Sequence, residues 1–158
     1  MIKAYFDGCC EPINPGGTAS YGFVIFEEYG SDEVCQLLFE DSKIFVPVRG
    51  REKETSNNVA EYSGFKRILE WLIEEGMEKE VIEICGDSNL VIQQMFGTWK
   101  IKRGFYVPIA KECLELLKRF PTISGKWIRR DENSIADKLS KAELIKAGVK
   151  FRIQPDRR

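Results

Sequence analysis

Ile2, Ala4 and Phe6 alternate with Lys3, Tyr5 and Asp7, the period-two pattern of a strand with one buried face. Pro12-Ile13-Asn14-Pro15-Gly16-Gly17 breaks the pattern and reads as a loop. Tyr21 to Phe26 and Val34 to Phe45 continue as two further strands of a meander, and a polar stretch from about Arg49 to Ser56 is loop. The period then changes. Val59, Tyr62, Phe65, Ile68, Leu69 and Leu72 recur at helical spacing; Asn57 or Asn58 caps the start, and Gly76 closes the run. Val81 to Cys85 is a short apolar strand ending in Gly86-Asp87-Ser88. Ser88 caps a short helix with Leu90, Val91 and Met95, which stops at Gly97 before a basic loop from Thr98 to Gly104. Ile109, Cys113, Leu116, Leu117 and Phe120 mark another helix, closed by Pro121, and Ile123 to Arg130 reads as a strand. Asn133 or Ser134 caps a last helix with Ile135, Ala136, Leu139, Ala142 and Ile145, stopped by Gly148. The order βββ-α-β-α-α-β-α predicts one α/β domain over residues 1–148, a mixed sheet covered by helices, with a tail over 149–158.

Composition agrees and narrows the class. The 158 residues fit one domain, and 43% hydrophobic residues suffice for a core. No run approaches 18 uncharged apolar residues, so nothing spans a membrane. The N-terminus turns acidic at Asp7, too soon for a signal peptide, which points to a cytoplasmic protein, expected as a monomer. The five cysteines are odd in number, form no Cys-x-x-Cys pair and have no histidine beside them, which argues against structural zinc. They read as reduced thiols mostly in the core; a redox role for adjacent Cys9-Cys10 is the open alternative.

Net charge is −1, but it is unevenly spread. Residues 1–97 carry 18 acids against 8 bases, whereas residues 98–130 carry 9 bases against 2 acids. Such a division suits a surface that binds metal on one side and phosphate on the other; a basic helix face that merely stays solvated is the alternative.

Four acids stand at element ends, where open α/β sheets place ligand sites. Asp7 ends the first strand before Gly8, and Asp87 ends the strand after the first long helix. Glu61 and Asp137 sit in the first turns of the first long helix and the last helix. Singly, each has an ordinary reading as turn former, cap or dipole partner. Gathered, they would repel one another and hold their protons, unless hard divalent ions sat among them. Two such ions about 3.5–4 Å apart stabilise both the attacking and the leaving oxygen of an in-line displacement at phosphorus, with no side-chain nucleophile. That chemistry suits a chain without histidine or a nucleophilic serine motif.

The motifs resemble type 1 ribonuclease H, in its histidine-less branch known from archaea and some bacteria. Tyr5-Phe6-Asp7-Gly8 with Asn14-Pro15-Gly16-Gly17 resembles the family's first-strand motif. Thr55-Ser56-Asn57-Asn58-Val59-Ala60-Glu61, Gly86-Asp87-Ser88 and Asn133-Ser134-Ile135-Ala136-Asp137 resemble its remaining motifs, in the same order. The resemblance covers about residues 1 to 145. It implies a five-stranded mixed sheet of the ribonuclease H-like fold, with the second strand antiparallel to the rest. It implies hydrolysis of the RNA strand of RNA/DNA hybrids to 5′-phosphate and 3′-hydroxyl ends. It makes Asp7, Glu61, Asp87 and Asp137 the ligands of two Mg²⁺ or Mn²⁺ ions.

Substrate contacts follow from the same resemblance. Gly8, Cys9, Asn14, Asn57, Asn58, Asn89 and Asn133 fall at or near positions facing the RNA strand, where amides can read a 2′-hydroxyl. For Asn57 and Asn58, helix capping is the other reading. Trp99, Lys100 and Lys102 fall where family members grip the DNA strand; core packing is the other reading for Trp99. The family's long basic protrusion is shortened here. Its histidine before the last helix is replaced by Arg130, which stays protonated and so acts as an electrostatic partner of the scissile phosphate, not a base. Asp131 or Glu132 is the alternative aid to water or metal exchange. Rival readings are another enzyme of the fold, integrase- or resolvase-like, and a non-catalytic hybrid-binding module.

Overall fold

A computed structural model of the chain describes residues 1–30 and 34–153. Strands β1 (Ile2–Glu11), β2 (Thr18–Tyr29), β3 (Val34–Phe45), β4 (Ile82–Gly86) and β5 (Ile123–Trp127) form one sheet in the order β3-β2-β1-β4-β5. β2 is antiparallel to β1 and β3, while β1, β4 and β5 run parallel. The helices are α1 (Asn57–Glu74), α2 (Asn89–Phe96), α3 (Val107–Leu117) and α4 (Ser134–Lys146). Single 3₁₀ turns occupy Glu52–Glu54 and Arg130–Glu132. The element order and the five-stranded mixed sheet are those expected from the sequence.

Alternation in β2 decides which helix covers which face. Tyr21 packs against Gly64 of α1, and its neighbour Gly22 faces the other way, onto α4. A Cβ at Gly22 would stand 2.5 Å from Ser140 N, so only glycine lets α4 come this close. On the α1 face, Phe6, Phe23, Tyr62, Phe65, Leu69 and Ile84 are fully buried. Each such side chain contributes about 1.5–3 kcal/mol of transfer free energy.

Some boundaries differ from the hydrophobic pattern for reasons of pairing. β1 does not stop at Asp7. Its parallel pairing with β4 ends at Phe6↔Gly86, but antiparallel pairing with β2 continues to Glu11↔Thr18. Asp7 is therefore the first β1 residue past the end of β4, at the mouth of a notch in the sheet. β5 ends at Trp127, not Arg130, because its partner β4 ends there. α3 starts at Val107 with a proline in its first turn, and Lys118 to Phe120 leave it through i→i−3 bonds.

One cap differs from expectation, and the other holds in position but not in bonding. Ser56, not Asn57 or Asn58, caps α1: its side chain accepts from Val59 N at 3.1 Å. Asn133 sits at the N-cap of α4, but its side chain makes no cap bond. α4 stops as expected at Gly148, where Val149 N and Gly148 N donate to Leu144 O and Ile145 O. The start of the tail folds back: the Arg152 guanidinium donates to Glu11 at 3.0 Å and to Cys10 O at 2.9 Å. Residues 154–158 of the expected tail lie outside the described residues. Cys10, Cys85 and Cys113 are buried, Cys9 is half-buried, Cys35 is exposed, and all five are free. Among the described residues, no helix is long and apolar enough to cross a membrane.

Candidate metal centre

Asp7 projects from β1 beside the end of β4, Asp87 follows β4 directly, and Glu61 lies in α1 across from β1. What brings α1 this near is Gly8. A Cβ there would stand 2.7 Å from Glu61 N. One carboxylate oxygen from each of Asp7, Glu61 and Asp87 falls within 4.8 Å of the others. Asp7 and Glu61 are each only 3% exposed. Asp137, in the first turn of α4, is near enough for its charge to raise the Asp7 carboxyl. It stands outside the tight trio and pairs with Lys141 at 3.1 Å.

The electrostatics record the crowding. Burial pushes the Asp7 carboxyl well above the usual carboxylate range, the charges of Asp87 and Asp137 push it further, and the Gly8 N–H, 2.9 Å away, opposes them. Burial likewise raises Glu61, with Asp7 and then Asp87 adding to it. Asp87 is raised by burial against the opposing pull of Arg130, whose Nε lies 3.9 Å from its carboxylate. Glu61 Oε2 is buried without a hydrogen-bond partner. An orphaned carboxylate oxygen among like charges is matched by a cation. Because every donor is an anionic oxygen, the fitting cation is a hard divalent ion.

Around the trio lies an open depression of about 390 Å³, lined also by Gly8, Asn57, Ser88, Trp127 and Arg130. Asn57 and Asn58 are half-exposed at the start of α1. The Asn57 backbone N–H donates to Asn14 Oδ1 at 2.9 Å, which ties the loop after β1 to the helix. With Ser56 as the cap, neither Asn57 nor Asn58 spends its side chain on capping α1. Asn89 is exposed at the start of α2. Gly8 is buried and Cys9 half-buried, with the Cys9 thiol against Ser20 Oγ at 3.4 Å.

Asn133 departs from expectation. It is 1% exposed, and its amide Nδ2 donates to Phe6 O at 2.8 Å, which braces β1 one residue before Asp7 rather than facing outward. The motif position was legible, but the bond joins residues 127 positions apart.

Trp99, Lys100 and Lys102 are exposed around a second depression of about 500 Å³, with Leu90, Gln94 and Tyr106. Trp99 is 48% exposed, which removes the core-packing reading. Gln94 shapes this loop: its Nε2 donates to Lys100 O at 3.1 Å and Tyr106 Oη at 3.2 Å, and its Oε1 accepts from Tyr62 Oη at 2.5 Å. α2 starts at the carboxylates and ends at this loop. The second depression runs along α2, from Leu90 near its start to the loop after its end. Sequence reasoning passed over Gln94 and Trp127. Gln94 reads as one polar position in an apolar helix. Trp127 ends a short strand ahead of Arg129-Arg130, and a tryptophan before basic residues was the available signal.

Sheet order, helix placement and the acidic cluster together define a ribonuclease H-like domain. The model of the family described as reverse transcriptase-like matches residues 6–143, and the chain belongs to that family. It is 32% identical over 127 residues to a bifunctional protein of Mycobacterium tuberculosis, covering 80% of this chain and 31% of that one. This chain thus spans less than a third of the mycobacterial relative. The crystal structure of the RNase H1 of the halophilic archaeon Halobacterium salinarum superimposes with a TM-score of 0.72 at 28% identity, covering 92% of this chain and 98% of that one. LC11-RNase H1, crystallised in complex with an RNA/DNA hybrid, gives 0.76 at 31% identity, covering 93% and 99%.

Proposed function

We propose that the protein is an endoribonuclease that hydrolyses the RNA strand of RNA/DNA hybrids by a two-metal-ion mechanism, leaving 5′-phosphate and 3′-hydroxyl ends. The observation that carries this reading is the buried trio Asp7, Glu61 and Asp87, with an unpartnered Glu61 oxygen, beside a half-exposed amide pair. The hybrid seen bound to LC11-RNase H1 supports the substrate class.

Asp7, Glu61, Asp87 and Asp137 would hold Mg²⁺ or Mn²⁺. Bound divalent ions would supply an activated water and offset charge on the leaving oxygen. The protein holds the rest in place. Gly8 N–H orients the Asp7 carboxylate, and Asn133 fixes the strand that carries it. Asn14 sets the start of α1, leaving the Asn57 and Asn58 amides to donate to and accept from a 2′-hydroxyl, the group DNA lacks. Trp99 offers a ring to the DNA strand, and Lys100 and Lys102 offer charge to its phosphates. Asn89, and Gly8 and Cys9 through their backbone, line the RNA side. Arg130, 81% exposed in its side chain next to Asp87, stabilises charge on the scissile phosphate.

Incubation with an end-labelled RNA/DNA hybrid tests this directly. Divalent-dependent cutting confined to the RNA strand is expected, with binding that weakens as salt rises. Arg130→Ala should slow turnover about 10-fold, part of the 10²–10³ typical of a buried donor. Unchanged turnover would remove Arg130 from the mechanism. A hybrid bound but uncut by the wild type would mean a binding module, and cutting of duplex DNA an integrase-like enzyme.

A further inference from the structure

Trp127 is the last residue of β5, paired in register with Gly86, the residue before Asp87. Adjacent strands lie about 5 Å apart, so its backbone stands one strand spacing from the residue before Asp87. The indole Nε1–H donates to Asp87 O at 3.1 Å. Yet the residue is 49% exposed, and it lines the same depression as Asp7, Glu61, Asp87 and Arg130. Core packing does not explain a tryptophan held in the open by its single polar atom. With that N–H committed to a backbone carbonyl, the ring offers a ligand only its apolar face and edge, since indole has no other donor and no acceptor. Such a surface stacks on a base or packs on a ribose, and it does so with any sequence.

We infer that Trp127 is a substrate-stacking residue for the strand that is cut, taking the nucleotide on the β5 side of the scissile phosphate. Strand order supplies the geometry. The depression runs from Asn57 and Gly8, beside β1, past Asp87 after β4, to Trp127 and Arg130 after β5. Two strand spacings span about 10 Å, which matches about three steps of a duplex at about 3.4 Å of axial rise each. The amides read ribose at one end, the carboxylates face the phosphodiester, and the indole packs on the nucleotide at the other end. Trp99 serves a different strand, beside Lys100 and Lys102 in the loop past the far end of α2. The tether to Asp87 O gives Trp127 a second, positioning effect, because it holds the main chain of a proposed metal ligand.

This inference rests on the hybrid-cutting reading, and two variants separate its parts. In steady-state cleavage of an RNA/DNA hybrid, Trp127→Ala is expected to raise KM about 10-fold, within the range that loss of one stacked base produces. Trp127→Phe keeps a ring face without the N–H and should hold KM within about 3-fold of wild type. Loss of the tether should act on kcat and be shared by both variants. A wild-type KM in Trp127→Ala would overturn the stacking role, as would a KM in Trp127→Phe as high as that of Trp127→Ala. If the wild type cuts no hybrid, the proposed function fails on its own account. Stacking is then read from binding alone: uncut hybrid must bind Trp127→Ala about 10-fold more weakly than wild type, and equal affinity would overturn it.

Discussion

Glu61→Gln should leave a folded protein that no longer cuts RNA/DNA hybrid at a useful rate. The substitution changes one oxygen to an amide nitrogen in a side chain that is 3% exposed and carries an unpartnered oxygen, so shape is conserved and the anion is lost. A divalent ion loses a charged ligand, and an NH₂ group now points where a cation should sit. Metal-ion stabilisation of charge in such displacements is worth several kcal/mol, which converts to a fall of about 1,000-fold or more in kcat/KM. Melting temperature and circular dichroism would establish that the fold is intact. Activity within about 10-fold of wild type would show that Glu61 is not a ligand on which the chemistry depends.

Asp7→Asn should make the metal-free protein more stable at neutral pH, the reverse of most substitutions at buried sites. The sign follows from linkage. The Asp7, Glu61 and Asp87 carboxyls are all held above their ordinary range in the folded state. The folded chain therefore holds these protons more tightly than the unfolded chain, so stability is greatest in acid. It falls as pH rises from the ordinary carboxylate range, about 4, towards the raised folded values. Asparagine removes one charge and keeps an oxygen that can accept from Gly8 N. Two full charges at 4.8 Å, the limit within which these oxygens lie, repel by about 3 kcal/mol at an effective dielectric of about 20. The expected gain is on the order of 1–3 kcal/mol, or ~2–10 °C in Tm, measured in chelator at pH 7. Adding Mg²⁺ or Mn²⁺ should reverse the order, since only the intact cluster gains from the ion. A less stable Asp7→Asn protein in chelator would mean that the acids are not under mutual strain.

These effects come from contacts that the sequence revealed unequally. The four acids were legible because each stands near a break in the hydrophobic pattern: Asp7 and Asp87 follow apolar runs and Asp137 lies in the first turn of α4, whereas Glu61, expected in the first turn of α1, lies just past it. The structure gathers Asp7, Glu61 and Asp87 and sets Asp137 beside them on its own lysine. The extension of β1 to Glu11 was hidden, because only pairing with β2 sustains it once β4 has ended. Ser56, Asn57 and Asn58 are equally good capping types, so residue identity alone does not single out Ser56 as the α1 cap. Asn133 and Trp127 owe their roles to backbone carbonyls far along the chain, Phe6 O and Asp87 O, and no local pattern announces such bonds.

The account stands on an ion held by acids from separate elements, and diffraction from crystals soaked in Mn²⁺ examines that most directly. Anomalous peaks among the carboxylates of Asp7, Glu61, Asp87 and Asp137, with Asp137 drawn off Lys141, are the expected result. Full soaking with no peak at these side chains, or with manganese only elsewhere on the surface, would contradict it.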